Sequence, residues 1–598
     1  MNKKLTTSLV ASLLIATNLT ANQTLDTITV TSATKSEQSI KDVTSNVEVI
    51  TSQEIEERHF TTVSEALSTL SGINLISNGG LGKSTSVYVR GIDSEKVLVL
   101  IDGVRFNDVS NFTGGADFAN LNINNIEQIE VIKGAQSGLW GADATAGVIN
   151  IITKKPEDGF NGNINVEFGS FQTKKTNTVL SYGTKDYYLE TFLNTIDTDG
   201  YTAHAQDNTD IDNYEKDGFK SREYGLKAKY NIDDSNSIGF AHKIIDSKVD
   251  LDTPSSDNLV NNSEYNYKVS SVNYENFYND IKTKAHINRT VYDWSYISSS
   301  RSDYDGSLTE YGIESTIPYF NEKSFLMVGT NYKDFKKEND INRNYNNKAL
   351  FVTNSNSFNN NQTIFTQSLR YDNFDKFENK TTGKIGLKHF FTNDLFASTN
   401  YGTAYNVPTV TRLYHPSYGN ENLVPESSKA FDLTAGYKNF EVTYFKTKIK
   451  DLIGWDSGYS NIKGTSTIEG YEASYKKDVL EDLFLGINYT HLDAKDAKGK
   501  DLARRAKNLV NLSLDYYGIK KTHINLNGQY VGTRYDKKDK GGIQTGRYTV
   551  WNSVVNYDIS NDLKTYLKVD NIFNKYYQVA NGYATSPRAF YVGLNYKF

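Results

Sequence analysis

Apolar and polar residues alternate in repeated short runs along the last three quarters of the chain, from about Phe160 to Phe598. In the final run, one set of alternate positions is wholly apolar or aromatic, whereas the positions between them are mostly polar or glycine. The apolar set is Phe590, Val592, Leu594, Tyr596 and Phe598, and the other set is Tyr591, Gly593, Asn595 and Lys597. The runs 483–490 and 563–570 repeat the pattern. Because successive side chains of a strand point to opposite faces, the pattern predicts strands with one apolar face, as in a membrane-spanning β-barrel.

Composition is compatible with such a barrel but does not distinguish it from a soluble all-β protein. The mean hydropathy of -0.55 excludes a bundle of apolar membrane-spanning helices. The chain has no cysteine, which excludes a disulfide framework, a thiolate metal site and a cysteine nucleophile. A net charge of -6 and a pI near 5.9 argue against nucleic acid as a partner.

The N-terminal segment, residues 1–21, has the pattern of a secretory signal peptide. Lys3 and Lys4 precede an apolar core, 9–16, which is too short to cross a bilayer. Cleavage after Ala21 is expected, although Leu19 is a poor residue three positions before the cut. The pattern predicts an exported protein, and the alternative is a charge pair followed by a buried helix of a soluble protein.

The next segment, residues 22–41, contains an extended β-branched stretch and no core of its own. The stretch reads Asp26, Thr27, Ile28, Thr29, Val30 and Thr31, and the polar run 32–41 follows it. Such a segment is suited to adding as a strand to the sheet edge of another protein, although any disordered tail can contain the same residues.

Residues 42–155 predict a small mixed domain. Strands are expected at 47–50, 87–91 and 97–101. Two helices begin at capping boxes, one with Thr51 and Glu54 and one with Thr62 and Glu65, and the second is expected to end near Ser71 and Gly72. The stretch 129–153 consists of two strand-like runs around a glycine-rich turn.

The stretch 129–153, together with 101–105, resembles the plug domain of the TonB-dependent outer-membrane receptors. The likeness covers nearly the whole chain after residue 25 and is greatest to the receptors for vitamin B12 (cobalamin). It implies an all-β membrane protein with a 22-stranded antiparallel transmembrane barrel and a mixed α/β plug in the lumen. About 440 residues follow Phe160, which is enough for 22 strands of about 10 residues each. A terminal phenylalanine also resembles the assembly signal of outer-membrane barrels.

The resemblance further implies a division of the chain and a set of partners. Residues 1–21 are the signal peptide, 22–41 the TonB box and linker, 42–155 the plug and 160–598 the barrel. The TonB box is carried over to residues 26–31, through which the energised inner-membrane complex, TonB, would pull. A monomer embedded in outer-membrane lipids, without enzymatic activity, is expected.

Ligand-contact positions also come from the resemblance to cobalamin receptors. They are Ser84, Ser86, Asp93, Phe112, Thr113 and Arg504. Relative to those receptors, this chain carries a one-residue insertion near Phe112. A cationic group such as Arg504 can hydrogen-bond the amides and phosphate of a corrinoid. The alternatives are ordinary plug turns and a positive charge at a strand end.

The acidic run 207–217 is a candidate metal site, because calcium takes six to eight hard oxygen ligands in flexible geometry. On composition alone, a solvated external loop is the better interpretation. The resemblance implies calcium in this loop, and the positions that match its ligands are Asn213, Glu215, Asp217 and Asp250. Thr202 stands where the family has an aspartate, so the number of ions is open.

Cobalamin is therefore the first expected ligand, and a ferric siderophore or haem is the second. His415 lies between 405–408 and 419–423, where haem receptors place a histidine, but the only plug histidine is His59 at a helix, so ligation by two histidines is not expected. A passive porin or adhesin would need neither plug nor tether. For a hydrolase, Ser, His and Asp are present but no motif joins them.

Overall fold

A computed structural model describes residues 28–205, 213–339, 341–455 and 458–598, and within these ranges the chain forms a closed barrel around a small plug domain. The predicted signal peptide and residues Asp26 and Thr27 lie outside the described residues, as do Asp207, Asp210 and Asp212. No helix in these ranges is long and apolar enough to cross a membrane.

The plug and the linker before it contain nine short strands and three short α-helices. The elements are β1 (Thr29–Val30), β2 (Gln38–Ser39), β3 (Val47–Thr51), α1 (Ser52–Arg58), α2 (Val63–Leu67), β4 (Ile73–Ser77), β5 (Thr85–Val89), β6 (Val97–Ile101), β7 (Val104–Arg105), β8 (Ile126–Lys133), α3 (Ser137–Trp140) and β9 (Gly147–Thr153). A five-stranded mixed sheet has the order β3-β8-β9-β6-β7, in which β6 and β9 are parallel, and β4 pairs with β5 in a separate hairpin.

The barrel closes where its first strand pairs with its last, with Asn163 opposite Lys597. All 22 strands are antiparallel to their neighbours, and the extra hairpin β25–β26 lies in a loop. The strands are β10 (Gly159–Gly169), β11 (Thr173–Gly183), β12 (Tyr187–Thr198), β13 (Phe219–Asn231), β14 (Asn236–Asp250), β15 (Asn262–Tyr278), β16 (Ile281–Ile297), β17 (Arg301–Tyr319), β18 (Asn321–Lys337), β19 (Arg343–Phe358), β20 (Thr363–Phe374), β21 (Lys380–Phe390), β22 (Leu395–Asn406), β23 (Glu426–Tyr437), β24 (Phe440–Lys450), β25 (Ile453–Trp455), β26 (Tyr459–Asn461), β27 (Thr465–Leu480), β28 (Leu483–Lys495), β29 (Asn508–Ile519), β30 (Thr522–Val531), β31 (Tyr548–Asp558), β32 (Leu563–Asp570) and β33 (Ala589–Lys597), and the helix α4 (Val410–Tyr414) follows β22.

The alternating pattern and the predicted 22-stranded barrel are confirmed. The apolar set of the last run, Phe590 to Phe598 at alternate positions, is 43–53% exposed on the outer wall, where it would face lipid. The two ends of the barrel differ, because short turns such as 279–280 and 520–521 join strands at one end and long loops such as 532–547 and 571–588 join them at the other. Long loops mark the extracellular end of outer-membrane barrels.

The plug fills the lumen and packs against strands around its circumference. Helix α3 contacts β20 to β22, α1 contacts β30 and β31, and β7 contacts β15 and β16. The buried core joins plug residues such as Val99 and Ile129 to the barrel residues Tyr267 and Tyr292. A filled lumen does not fit the passive-porin alternative.

The plug elements follow the sequence prediction with local differences. Thr51 and Glu54 form the predicted reciprocal capping box. Helix α2 ends at Leu67, before the predicted Gly72, because the hydroxyls of Ser68 and Thr69 donate back to helix carbonyls. Strand β5 ends at Val89, because Arg90 and Gly91 take positive φ. The glycine-rich stretch between β8 and β9 contains the short helix α3.

Candidate ligand-binding site and tether

Two plug turns face the loop-rich end of the barrel. The apical plug turn, residues 78–84, joins β4 to β5 and is closed by a hydrogen bond from Asn78 N to Ser84 O (3.1 Å). Residues 106–117 form the second plug turn, in which Gly115 lies against the backbone of Ser94 and Glu95. The polar, glycine-rich sequences that predicted ligand-facing loops therefore meet at one end of the plug.

The six predicted ligand-contact residues lie at this end. Ser84 and Thr113 are exposed, whereas Ser86, Asp93, Phe112 and Arg504 are half-buried. Asp93 accepts a hydrogen bond from Arg505 (2.7 Å), and Arg505 also donates to Gly91 O (2.9 Å). Arg504 pairs with Asp536 on the neighbouring loop (Nε–Oδ1, 2.8 Å). Both arginines are thus neutralised by carboxylates. The loop-rich end of the barrel, which we call its mouth, therefore offers hydrogen-bonding groups and little net positive charge.

An aromatic cluster, which sequence reasoning missed apart from Phe112 and His415, lies beside the second plug turn. The ring of Phe112 lies 5.3 Å from His415 and 6.2 Å from Tyr459. Trp455 packs between Tyr459 (4.9 Å) and Tyr418 (5.3 Å), and about half of each of Trp455 and Tyr418 is exposed. Such a surface can hold the flat face of a large conjugated ligand.

His415 is arranged for packing. Its Nδ1 accepts hydrogen bonds from the backbone N–H groups of Ser417 (3.2 Å) and Tyr418 (3.3 Å), and its ring stacks on Tyr418 at 5.0 Å. With Nδ1 used as an acceptor, the neutral ring carries its proton on Nε2. Metal ligation through Nε2 would require the opposite tautomer, and ligation through Nδ1 would require the loss of these two hydrogen bonds.

The acidic loop and the loop after β14 bring four carboxylates together, which we call the carboxylate cluster: Glu215, Asp217, Asp252 and Asp257. Ligand atoms of Glu215, Asp252 and Asp257 all lie within 4.8 Å of one another. Asp217 is only 2% exposed, is within hydrogen-bond reach of Asp252, and accepts from Ala203 N. The predicted positions Asn213 and Asp250 are exposed and lie outside the group of three. Thr202 donates to Asp252 Oδ2 (3.2 Å).

The carboxylate cluster fits a hard divalent cation. Glu215 Oε2, Asp217 Oδ1 and Asp257 Oδ1 are buried and accept no hydrogen bond. Burial, followed by Asp252, raises the pKa of Asp217 to about 8, and burial together with repulsion from Asp252 and Asp257 raises the pKa of Glu215 to about 7. Crowded oxygen ligands without donors are the environment that calcium prefers.

The described part of the predicted TonB box, residues 28–31, is docked against the plug. Thr29 pairs with Ser39 in the β1–β2 hairpin, and Val30 is fully buried. The carboxylate of Glu130 on β8 accepts from the backbone N–H of Thr31 (3.1 Å) and of Ser32 (2.9 Å). Sequence alone gave no sign of Glu130, which is about 100 residues away along the chain.

Comparisons with known proteins agree with this architecture. The family described as "TonB dependent receptor-like, beta-barrel" matches residues 153–572, and "TonB-dependent Receptor Plug Domain" matches residues 39–148. The "Vitamin B12 transporter BtuB" of Vibrio cholerae is 28% identical, with 96% of this chain and 96% of the relative covered. The protein of the same name from Photobacterium profundum is 27% identical, with 97% and 96% covered.

Similar solved structures are siderophore receptors. The siderophore receptor PirA from Acinetobacter baumannii has a TM-score of 0.81 at 16% identity, covering 92% of this chain and 98% of that one. The ferric enterobactin receptor PfeA from Pseudomonas aeruginosa has a TM-score of 0.78 at 17% identity, covering 92% and 99%. At such identities the likeness concerns the fold alone. The family match over well over half of the chain is decisive: this protein belongs to the TonB-dependent receptor family of Gram-negative outer-membrane β-barrels.

Proposed function

We propose that this receptor imports cobalamin across the outer membrane. The observation that carries the proposal is the mouth of the barrel, where the aromatic cluster lies beside plug turns that offer neutral hydrogen-bonding groups. A corrinoid combines a flat conjugated ring with amide side chains and one phosphate, and such a ligand matches both surfaces. Similarity to vitamin B12 transporters over 96% of both chains supports the same ligand.

A ferric siderophore is the second candidate, since the aromatic cluster also suits catechol rings. An anionic ferric complex, however, is best held by unpaired cations, and Arg504 and Arg505 are each paired with a carboxylate. Haem is disfavoured because Nδ1 of His415 already accepts hydrogen bonds from two backbone N–H groups.

The decisive experiment is equilibrium binding of cyanocobalamin to the purified, calcium-loaded receptor, with haem and ferric enterobactin as competitors. Cyanocobalamin should bind and should not be displaced by an equal concentration of either competitor. If ferric enterobactin binds and cyanocobalamin does not, the ligand of this receptor is a siderophore and the cobalamin proposal is wrong.

We also propose that the carboxylate cluster holds calcium and orders the loops around the ligand. Calorimetry on chelator-stripped protein tests this proposal. Asp252→Asn should weaken calcium binding by at least about tenfold, whereas the exposed Asp250→Asn should change it by no more than about twofold. Wild-type protein that binds no calcium at millimolar concentration would exclude the site.

TonB is proposed to supply the energy by pulling on residues 26–31. Force applied there would pass through the β1–β2 hairpin and Glu130 into β8, which is the second strand of the plug sheet. Deleting residues 26–31 should abolish uptake while the affinity for ligand changes by less than about twofold. Normal uptake by the deletion strain would exclude this mechanism.

A further inference from the structure

A buried ammonium group lies directly below the carboxylate cluster. Lys83 belongs to the apical plug turn and is 1% exposed. Its Nζ donates to the backbone carbonyls of Asp217 (3.1 Å) and Gly218 (3.4 Å). The plug thus supplies a cation to two backbone oxygens of a barrel loop, which are the kind of hard oxygen that a divalent ion would take.

The surroundings of Lys83 are strongly acidic. The charged side chains that act on its ammonium group are those of Asp217, Asp250 and Asp252, all of them carboxylates. A lysine brought into such a place without carboxylates would lose its charge, and carboxylates brought together without a cation would bind protons. Lys83 and the carboxylate cluster therefore stabilise each other.

The apical plug turn and the loop interlock around this contact. A Cβ atom added to Gly79 would lie 2.9 Å from Ala203 Cβ, and one added to Gly82 would lie 2.2 Å from the Phe219 ring. Both glycines have positive φ (+129° and +75°), so the turn reaches this close approach only with glycine. Ser84, a predicted ligand contact, follows Lys83 immediately, so the contact with the loop lies one residue from a ligand-facing position.

We propose that Lys83 is a tethered cation of the acidic loop, which offsets part of the charge of the carboxylate cluster and couples ion binding to the apical plug turn. The inference rests on the proposed calcium binding. The fixed ammonium group offsets one of the four carboxylate charges and one divalent ion offsets two more, so a second divalent ion is not needed. The ion acts on the turn because Lys83 joins the turn to the loop.

Calcium stoichiometry tests the first half of the proposal. Calorimetry on the chelator-stripped receptor should give one calcium ion per wild-type chain. Lys83→Met should show an additional binding event, because the carbonyls of Asp217 and Gly218 lose their cation, whereas Lys83→Arg should still bind one. Two ions in the wild type, or a single event of wild-type affinity in Lys83→Met, would overturn the proposal. If the wild type binds none, the calcium proposal itself fails.

The coupling is tested with a probe that needs no ligand. The chain has no cysteine, so Ser84→Cys carries a single spin label on the turn. Calcium should lower the mobility of this label at least about twofold when residue 83 is the wild-type lysine or carries Lys83→Arg. In labelled protein that carries Lys83→Met, calcium should leave the mobility unchanged. Lys83→Gln, which keeps a donor without the charge, gives the same test if Lys83→Met does not fold. The exposed Lys155→Met is the matched control and should behave as wild type. Equal calcium effects in Lys83→Met and wild type would overturn the coupling.

Discussion

Asp108 is a buried carboxyl group in the second plug turn. Its Oδ1 accepts from Ser110 N (2.7 Å) and Ser110 Oγ (2.6 Å). Burial is the largest effect and raises the pKa of Asp108 to about 6. The hydrogen bonds from Ser110 and the charge of Lys337 lower this pKa, and the charge of Asp117 raises it. The folded turn therefore binds a proton more tightly than the unfolded chain does.

The stability of the second plug turn should consequently fall as pH rises from about 4 to about 6, and stay constant above that. A pKa raised from 3.8 to about 6 corresponds to at most about 3 kcal/mol of local stability lost across this window. Asp108→Asn should remove the fall. The measurement is hydrogen exchange of residues 106–116, corrected for the intrinsic rate at each pH. An unchanged pH profile in Asp108→Asn would assign the dependence to another group.

The residues of the candidate sites could be predicted only where the sequence carries a local signal. The glycines and serines of 79–86 marked the apical plug turn, and the acidic run marked Glu215 and Asp217. Asp252 and Asp257, which complete the carboxylate cluster, come from the loop after β14, and only the folded barrel brings that loop beside 213–217. Lys83 was visible as a residue of the turn, but its partners were not.

At the scale of elements, alternation and capping boxes predicted the barrel strands and the start of α1, because both are set by neighbouring residues. The β1–β2 hairpin and α3 were not predicted, because long-range contacts hold them in place. Trp140 on α3, for example, donates from Nε1 to Ser32 O (2.9 Å), 108 residues away. A tether that looked extended in sequence is therefore a docked hairpin.

Glu130 is expected to keep this hairpin docked. Its buried carboxylate receives the N–H groups of Thr31 and Ser32 and the Ser32 hydroxyl. Hydrogen bonds to a charged group contribute about 1.5–3 kcal/mol each, so Glu130→Gln should increase the undocked population by about tenfold or more. Electron paramagnetic resonance of a spin label at Thr29→Cys, an exposed position, measures this population.

Glu127→Gln is the matched control for this prediction. Glu127 lies on the same strand, β8, but is exposed. The label should remain as immobile in Glu127→Gln as in wild type. Similar mobility in the Glu127 and Glu130 variants would show that the hairpin is held by packing of Val30 alone.

At the scale of the whole molecule, the plug and the barrel wall are joined by a buried ion-pair network. Glu472 on β27 pairs with Arg90 of the plug (2.8 Å) and with Lys133 at the end of β8 (3.4 Å), and Lys133 also pairs with Glu48 on β3. Arg90 and Glu472 are 382 residues apart. No local pattern could have predicted this pairing, which depends on the register of the closed barrel.

Removing Glu472 should loosen the plug inside the barrel. Breaking a buried pair leaves uncompensated charge and typically costs about 3–5 kcal/mol. In Glu472→Gln this applies chiefly to Arg90, which loses its ion-pair partner, whereas Lys133 keeps Glu48. We expect a clear increase in ion conductance of the purified receptor in planar bilayers, because a loosened plug opens the lumen. Glu469→Gln, three residues away, removes a partly exposed pair with Lys446, which is worth at most about 1 kcal/mol, and should leave conductance unchanged. If both variants conduct like wild type, packing of the apolar core holds the plug without help from the network, and energised transport must act on that core.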